Sequence, residues 1–417
     1  MGNYPPSVRQ RVFATLLLLV PPAACSRPAP DSPPQPSPVV RAIDVPAQPG
    51  SGEANLTAGP DGRLILSWLE PKGAGQALRF SVRPRGGRWE TPQTVAEGDQ
   101  WFVNWADFPS VASLPDGTLF AHWLQKSGIG KYAYDVRVAS SHDGTSWSAP
   151  VIPHRDGTPT EHGFVSMTSW DNRSMGMVWL DGRRTLGAAG HEKTQSEAAM
   201  SLVHTTLSTD GTLGDETTLD ARVCDCCQTD AVRAGNSTLV VYRDRSEKDI
   251  RDISLVRWNG DRWSEPRAVA KDDWEINGCP VNGPAIAADG ARVAVAWFTA
   301  PHDQSRVQLA FSKDLGDTFG APIRVDDGKP IGRVDVAMLR EGAVVSWLEE
   351  TRDAAELRVR RIGFDGRRDA AIVIANSSVA RSSGFPRMIE ANGEIILVWR
   401  DAAEPPRLRS VVVTGLR

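Results

Sequence analysis

From about residue 40 onward, apolar and polar positions alternate in short runs that end at turn signals such as Asp-Gly and Asn-Gly. The runs LILSWLE, LFAHWLQ, MGMVWLD, LVVYRDR, VAVAWFT, AVVSWLE and IILVWRD share one plan, with aliphatic or β-branched residues leading to an aromatic. Alternation with period two places successive side chains on opposite faces of a sheet, and the breaks suit tight hairpins. Each run has the same surroundings. A strand closing on a turn such as SLPDG or EANG precedes it; an alternating strand such as DVRVASS or RVQLAFS follows, then a fourth such as GTSWSAPVI or DTFGAPIRV. No amphipathic helix interrupts the pattern. The aromatics Trp68, Trp123, Trp179, Tyr242, Trp297, Trp347 and Trp399 recur 50 to 63 residues apart, room for four short strands and their loops. Such units repeated radially predict an all-β fold, a β-propeller of four-stranded antiparallel blades, seven in number, over residues 41–417. The anchor aromatics are expected to pack between blades. The last unit, residues 384–417, holds only three strands, so RAIDVPA around Ile43 is expected to supply the fourth and close the ring.

The N-terminus reads differently. Arg9 and Arg11 precede the apolar run VFATLLLLV at 12–20, and PPAAC ends at Cys25. A basic start, a brief apolar core and small residues describe an export signal over residues 1–25, far shorter than the roughly 20 apolar residues that cross a bilayer. Ala23-Ala24-Cys25 resembles a bacterial lipoprotein signal, with Pro22 where Leu is usual; the resemblance implies lipidation of Cys25. The alternative is an ordinary signal peptide cut nearby. The Pro-rich stretch at 26–40 has little to bury and is expected to be an extended tether. The protein is therefore expected in the periplasm or at the cell surface, tied to a membrane through a lipid anchor. A net charge of −4 with mixed signs argues against nucleic acid as a partner, and a monomer is expected.

One turn carries a resemblance. SKDLGDTF at 312–319 matches the Asp-box, Ser-x-Asp-x-Gly-x-Thr-Trp/Phe, and SSHDGTSW at 140–147 matches it with His142 in the Asp place. WNGDRW at 258–263 and RPRGGRW at 83–89 look like eroded copies. On these motifs the chain resembles the sialidase-like (BNR repeat) propellers, where the box pins a β-turn by side-chain to backbone hydrogen bonds. That family usually has six blades, which is the alternative count. The resemblance implies three arginines gripping a carboxylate, a Tyr–Glu nucleophile pair and an Asp acid–base. The Arg-Ile-Pro motif that carries the first arginine in the family is absent, and RAIDVP sets Arg41 and Pro46 at another spacing. Tyr242, Asp244 and Glu247 are the catalytic candidates, Tyr242 also reading as a packing anchor.

In a propeller the loops leading into each blade and those joining its second and third strands share one face. VCDCC at 223–227 leads into the fourth unit and Cys279 into the fifth, so Cys224, Cys226, Cys227 and Cys279 are expected to cluster there. An oxidising compartment favours two disulfides of undetermined pairing. The alternatives are a zinc or copper site built from the same four residues, at a spacing tighter than zinc usually shows, and a redox-active thiol pair. Otherwise no cofactor is expected. The adjoining loop YRDRSEKDIRD, with Asp181, Arg183 and Arg184 on a neighbouring loop, is either a solvated charged surface or a polar pocket. As a pocket, Arg183, Arg243, Arg245 and Arg251 would bind an anionic or hydroxylated ligand, with a carboxylate such as Asp181 orienting it. Trp101, Trp105 and Trp274 would offer flat faces for sugars. His162 and His191 could join either the metal site or the pocket. The leading expectation is a propeller that binds a carbohydrate or other small polar ligand without catalysis. An exo-sialidase-type glycoside hydrolase is the alternative, and an envelope metal-handling protein the third reading.

Overall fold

The structure is a computed structural model that describes residues 1–2, 38–186, 199–401 and 403–416. The signal segment with Cys25, most of the Pro-rich stretch, and His191 lie outside the described residues. From residue 39 the chain forms seven antiparallel sheets arranged as a propeller, so the count of seven holds. Blades 1 to 6 occupy residues 52–98, 110–141, 162–223, 230–268, 285–324 and 330–377, and blade 7 occupies 387–414. Six sheets have four strands and blade 2 has three, its outer place held by the single bridge Val138–Val151.

Blade 7 is completed from the other end of the chain. The strand Val39–Ile43 pairs antiparallel with Leu408–Thr414, Val39 opposite Thr414 and Ile43 opposite Ser410, as the segment RAIDVPA predicted. The innermost strand of every blade lines a central channel of about 490 Å³. Helical content in the described residues is four 3₁₀ turns of three residues each.

The anchor aromatics are buried as predicted, and four of them, Trp68, Trp179, Trp297 and Trp347, are among the largest fully enclosed side chains. A buried indole N–H needs a partner. Because positions i and i+2 share a strand face, an acid two places on supplies it: Trp68 to Glu70 at 3.3 Å, Trp179 to Asp181 at 2.8 Å and Trp347 to Glu349 at 2.6 Å. Trp297 and Tyr242 use acids from other strands or loops, Asp272 and Asp220, each at 2.6 Å.

The Asp-box at 312–319 is formed. Asp314 accepts from Thr318 N and Thr318 Oγ1 at 2.9 and 2.6 Å, and Ser312 Oγ accepts from Gly316 N at 2.9 Å. In the second box the acid is Asp143, not the expected His142. Asp143 takes the backbone N–H groups of Thr145 and Ser146, both at 2.7 Å, while His142 turns to Thr118. A one-residue shorter turn moves the acid by one place. A third box, unread in the sequence, lies at Ser208–Thr212, where Asp210 accepts from Thr212 N at 3.0 Å. Blades are also stitched to one another. Asp107, Asp230 and Asp335, each at or just ahead of the first strand of an even-numbered blade, accept a backbone N–H of the next blade, from Phe164, Ile286 and Met388 at 2.8 to 2.9 Å.

Replacing one anchor tests this packing. Trp347→Ala empties an enclosed site and strands Glu349, so the unfolding free energy should fall by about 3–5 kcal/mol in a denaturant titration. A loss below about 1 kcal/mol would mean the anchors do not carry the blade contacts.

Candidate functional site

The face that carries the cysteines is assembled from loops leading into blades 4 and 5 and the loop at residues 244–252. Cys224 N donates to Arg243 O at 3.0 Å, Arg251 N to Trp274 O at 2.9 Å and Ile276 N to Asp249 O at 3.0 Å. These bonds bring the four cysteines together. Cys224 Sγ stands 3.2 Å from Cys227 Sγ and 4.0 Å from Cys226 Sγ, and the thiol of the exposed Cys279 reaches Cys226. No sulfur–sulfur bond joins them. The three buried sulfurs sit in a hydrophobic cluster with Leu202, Val223, Tyr242 and Phe385, and one guanidinium enters it: Arg251 Nη1 donates to Cys224 Sγ at 3.2 Å. Burial alone would raise the Cys224 thiol. Hydrogen bonds from Cys226 and Cys227 and the charges of Arg251 and Arg243 outweigh it and hold Cys224 well below the usual thiol range. Burial and the adjacent Cys224 push Cys226 and Cys227 up. The trio offers three sulfur ligands within 4.8 Å of one another.

The arginines expected to grip a ligand are occupied by the protein itself. Arg243 is buried and donates to three carbonyls, Asn282 O at 2.8 and 3.0 Å, Arg251 O at 2.6 Å and Phe298 O at 2.6 Å. It also lies over Trp274, which is buried edge-on against Phe298, so Trp274 has no face for a sugar. Arg245 is spanned between Asp225 at 2.9 Å and Asp249 at 2.8 Å. Trp101 stacks on the anchor Trp123 at 5.7 Å and is equally enclosed. Asp181 is fully buried and accepts from Trp179 and from Arg183, whose guanidinium also reaches Glu216 at 2.9 Å. Arg184 donates outward to Ala221 O.

The catalytic candidates are placed apart in character. Tyr242 is an enclosed anchor whose hydroxyl donates to Asp220, and burial with the Asp220 charge raises it far above the phenol range, which rules it out as a ready nucleophile. Asp244 is raised to about 6 by burial and Asp220, and it accepts from Ser254. Glu247 is exposed on its loop. Asp252 caps the loop at Asp273 and Trp274 by accepting their N–H groups.

His162 joins a buried polar cluster. Its ring lies parallel to His154 at 3.7 Å, with Nε2 3.2 Å from Asp156 and 3.8 Å from Asp181. Asp156, His162 and Asp181 are close enough to share a cation, but Arg183 already holds Asp181 with two nitrogens at 2.6 and 2.7 Å.

Two groups escaped the sequence reading. Tyr134 donates to Glu161 at 2.8 Å and to Asp107 at 3.4 Å, a tyrosine set between two carboxyl groups. One lies on a strand and two on loops that lead into other strands, so no local motif announces them. Tyr134 is sealed beneath Phe102, stacked at 3.9 Å. Burial pushes Asp107 up to about 8, helped by Glu161.

The second group lies where loops meet across the channel end. Trp105, half-buried, stacks on Phe385 at 5.6 Å, and Phe385 packs on the channel-lining Phe108 at 6.1 Å. Arg333 and Arg381 lie over the Trp105 ring at 4.8 and 6.0 Å. Arg333 donates only to neutral oxygens, those of Ser383, Gly384 and Ala380, and burial with the Arg381 charge lowers it to about 10. Among the described residues neither arginine has a carboxylate partner. Trp105 was readable as a loop aromatic; its arginines, more than 200 positions away, were not.

A seven-bladed all-β propeller with Asp-box turns and this loop face is a sialidase-like propeller. The chain belongs to the BNR repeat-like domain family, which it matches over residues 77–396. It is similar in fold to a protein of unknown function from Dyadobacter fermentans DSM 18053, at 13% identity over 91% of this chain and 99% of that one, TM-score 0.53. It is also similar to the polysaccharide lyase Uly1, at 10% identity over 88% and 90% of the chains, TM-score 0.51. A comparison with curated protein sequences finds no match.

Asp107 makes stability depend on pH. Its pKa is 3.8 when unconstrained and about 8 when folded, so the stability it contributes is full below about pH 4 and lost as pH rises through 8. Asp230 and Asp244, both raised to about 6, add to the lower part of that window. Thermal unfolding followed from pH 6 to 8 should show a falling melting temperature, flattened in Asp107→Asn. An unchanged slope in the variant would show that Asp107 is ionised in the fold.

Proposed function

We propose that this protein is an exported, sialidase-like propeller that binds a carbohydrate on its loop face without cleaving it, an acidic sugar being the favoured ligand. The observation that carries the reading is the half-buried Trp105 flanked by Arg333 and Arg381, two positive groups with no carboxylate partner among the described residues. An aromatic face suits the C–H side of a sugar ring, and unpaired guanidinium charge suits a carboxylate. Arg243, Arg245 and Arg251 are taken up by backbone, acids and a cysteine, which argues against a grip there. A polysaccharide lyase of the same fold is compatible with a carbohydrate ligand. Export and anchoring through a lipid on Cys25, to the periplasm or cell surface, complete the proposal; the apolar run at 12–20 and Ala23-Ala24-Cys25 support them.

A second reading rests on Tyr134, Glu161 and Asp107, which have the residue types of a sialidase nucleophile pair and acid–base. The enclosure of Tyr134, together with its strongly raised pKa, disfavours it.

Calorimetric titration with sialic- and uronic-acid oligosaccharides, beside neutral ones, tests the lead. Binding should weaken at least about tenfold in Trp105→Ala and in Arg381→Ala, a change of about 1.4 kcal/mol. Binding untouched by both substitutions, or no binding to any oligosaccharide, would refute the site. Release of a reducing sugar that disappears in Tyr134→Phe would replace it with the hydrolase.

A further inference from the structure

The four cysteines have no part in the sugar site, yet their arrangement is specific. The sulfurs of Cys224, Cys226 and Cys227 converge within 4.8 Å of one another, and Cys279 comes to Cys226 from the loop leading into blade 5. We infer that Cys224, Cys226, Cys227 and Cys279 form a thiolate site for a thiophilic d10 cation, zinc(II) or copper(I).

The spacing supports a shared ion. A tetrahedral site with metal–sulfur bonds of about 2.3 Å sets its sulfurs roughly 3.8 Å apart. The observed separations of 3.2 and 4.0 Å from Cys224 straddle that value. Paired disulfides do not require one sulfur to approach two others, whereas a common ligand point does.

Charge supports it as well. Four thiolates on zinc(II), or three on copper(I), leave a net charge of −2. Arg251 Nη1 is 3.2 Å from Cys224 Sγ, and the charge of Arg243 also acts on that sulfur. Arg251 is also paired with Asp249 at 3.4 Å, and its second guanidinium nitrogen is the one turned to the sulfur, where an anionic metal–thiolate centre would give it a charged acceptor. The acid within the motif, Asp225, is turned away, accepting from Arg245 at 2.9 Å and from Met200 N at 3.1 Å. Soft thiolate ligands select zinc and copper(I) over magnesium or calcium. On binding, each coordinating sulfur that still carries a proton gives it up to solvent as the metal–sulfur bond forms, and no electron is transferred.

The backbone is shaped for the approach of the loops. At Gly283, four residues after Cys279, an added Cβ would fall 2.1 Å from Gln228 O, in the residue after Cys227. Only glycine lets the two cysteine-bearing loops close to this distance.

The test uses the full chain, purified without oxygen and titrated with zinc(II), with copper(I) against a competing chelator, and with cobalt(II) as a spectroscopic probe. One equivalent should bind, with the intense visible bands of tetrahedral cobalt–thiolate coordination. Metal analysis of the chain taken from its own envelope distinguishes zinc from copper. Cys224→Ser should abolish uptake. Cys279→Ser removes an exposed ligand, leaves the buried trio intact, and should weaken binding and change the cobalt spectrum even if Cys224→Ser fails to fold. Arg251→Gln should weaken binding about 10- to 100-fold, as loss of a hydrogen bond to a metal ligand does. Uptake unchanged in Cys279→Ser would overturn the four-cysteine site. So would a reduced chain that takes up no metal, or four thiols that react only after a reductant is added.

Discussion

The pairing of Val39–Ile43 with Leu408–Thr414 is the constraint on which the rest of this molecule hangs. Seven wedge-shaped sheets close into a ring only when the last borrows a strand from the start of the chain. The closure brings blade 7 against blade 1, where Arg83 meets Glu394 at 3.2 Å and Asn392 donates to Gly62 O at 3.1 Å. Contacts between residues more than 300 positions apart cost loop-closure entropy before they return anything, and the buried strands of seven blades must offset it. The closure also sets the spacing of the loops on the face that carries Trp105. It allows Trp105, leading into blade 2, to stack on Phe385, leading into blade 7, across the approach to blade 1.

Much of the charge on that face serves shape. Arg243 joins blade 4 to blade 5 through carbonyl oxygens, and Arg333 does the same between blades 6 and 7. Loops carry carbonyls that no strand partner satisfies, and a guanidinium with five donors can gather several at once. This separates arginines that hold loops from one that faces outward: Arg243 is sealed, Arg381 is exposed. The distinction matters for function, because guanidiniums held by backbone, as Arg243 and Arg333 are, can offer a ligand charge but few free N–H groups, whereas the exposed Arg381 keeps its donors.

Period-two alternation and the recurring aromatics made the architecture readable, including the strand that closes the ring, because both signals are local and repeat seven times. The meeting of the cysteines was readable from topology, since loops leading into adjacent blades must lie side by side. Partners were not readable. Nothing near Arg243 in sequence announces Asn282 O or Phe298 O, and nothing near Trp105 announces Arg333. The Asp-box at 140–147 was found but read one residue out of register, because the motif's spacing was imposed on a shorter turn in which Asp143 does the capping. Trp274 and Trp101 looked like loop aromatics and proved to be packed, a difference decided by neighbours such as Phe298 and Trp123.

Gln228 follows Cys227 directly, and its side chain spans the channel end: Nε2 donates to Ala106 O at 2.5 Å and Oε1 accepts from Gly283 N at 3.0 Å. Ala106 is the residue after Trp105. One amide thus ties the sulfur loops to the aromatic platform. A loop tied at both ends by one amide gives up less freedom when either end is fixed, so ordering of the cysteine segment would reduce what ordering of Trp105 costs, and the reverse.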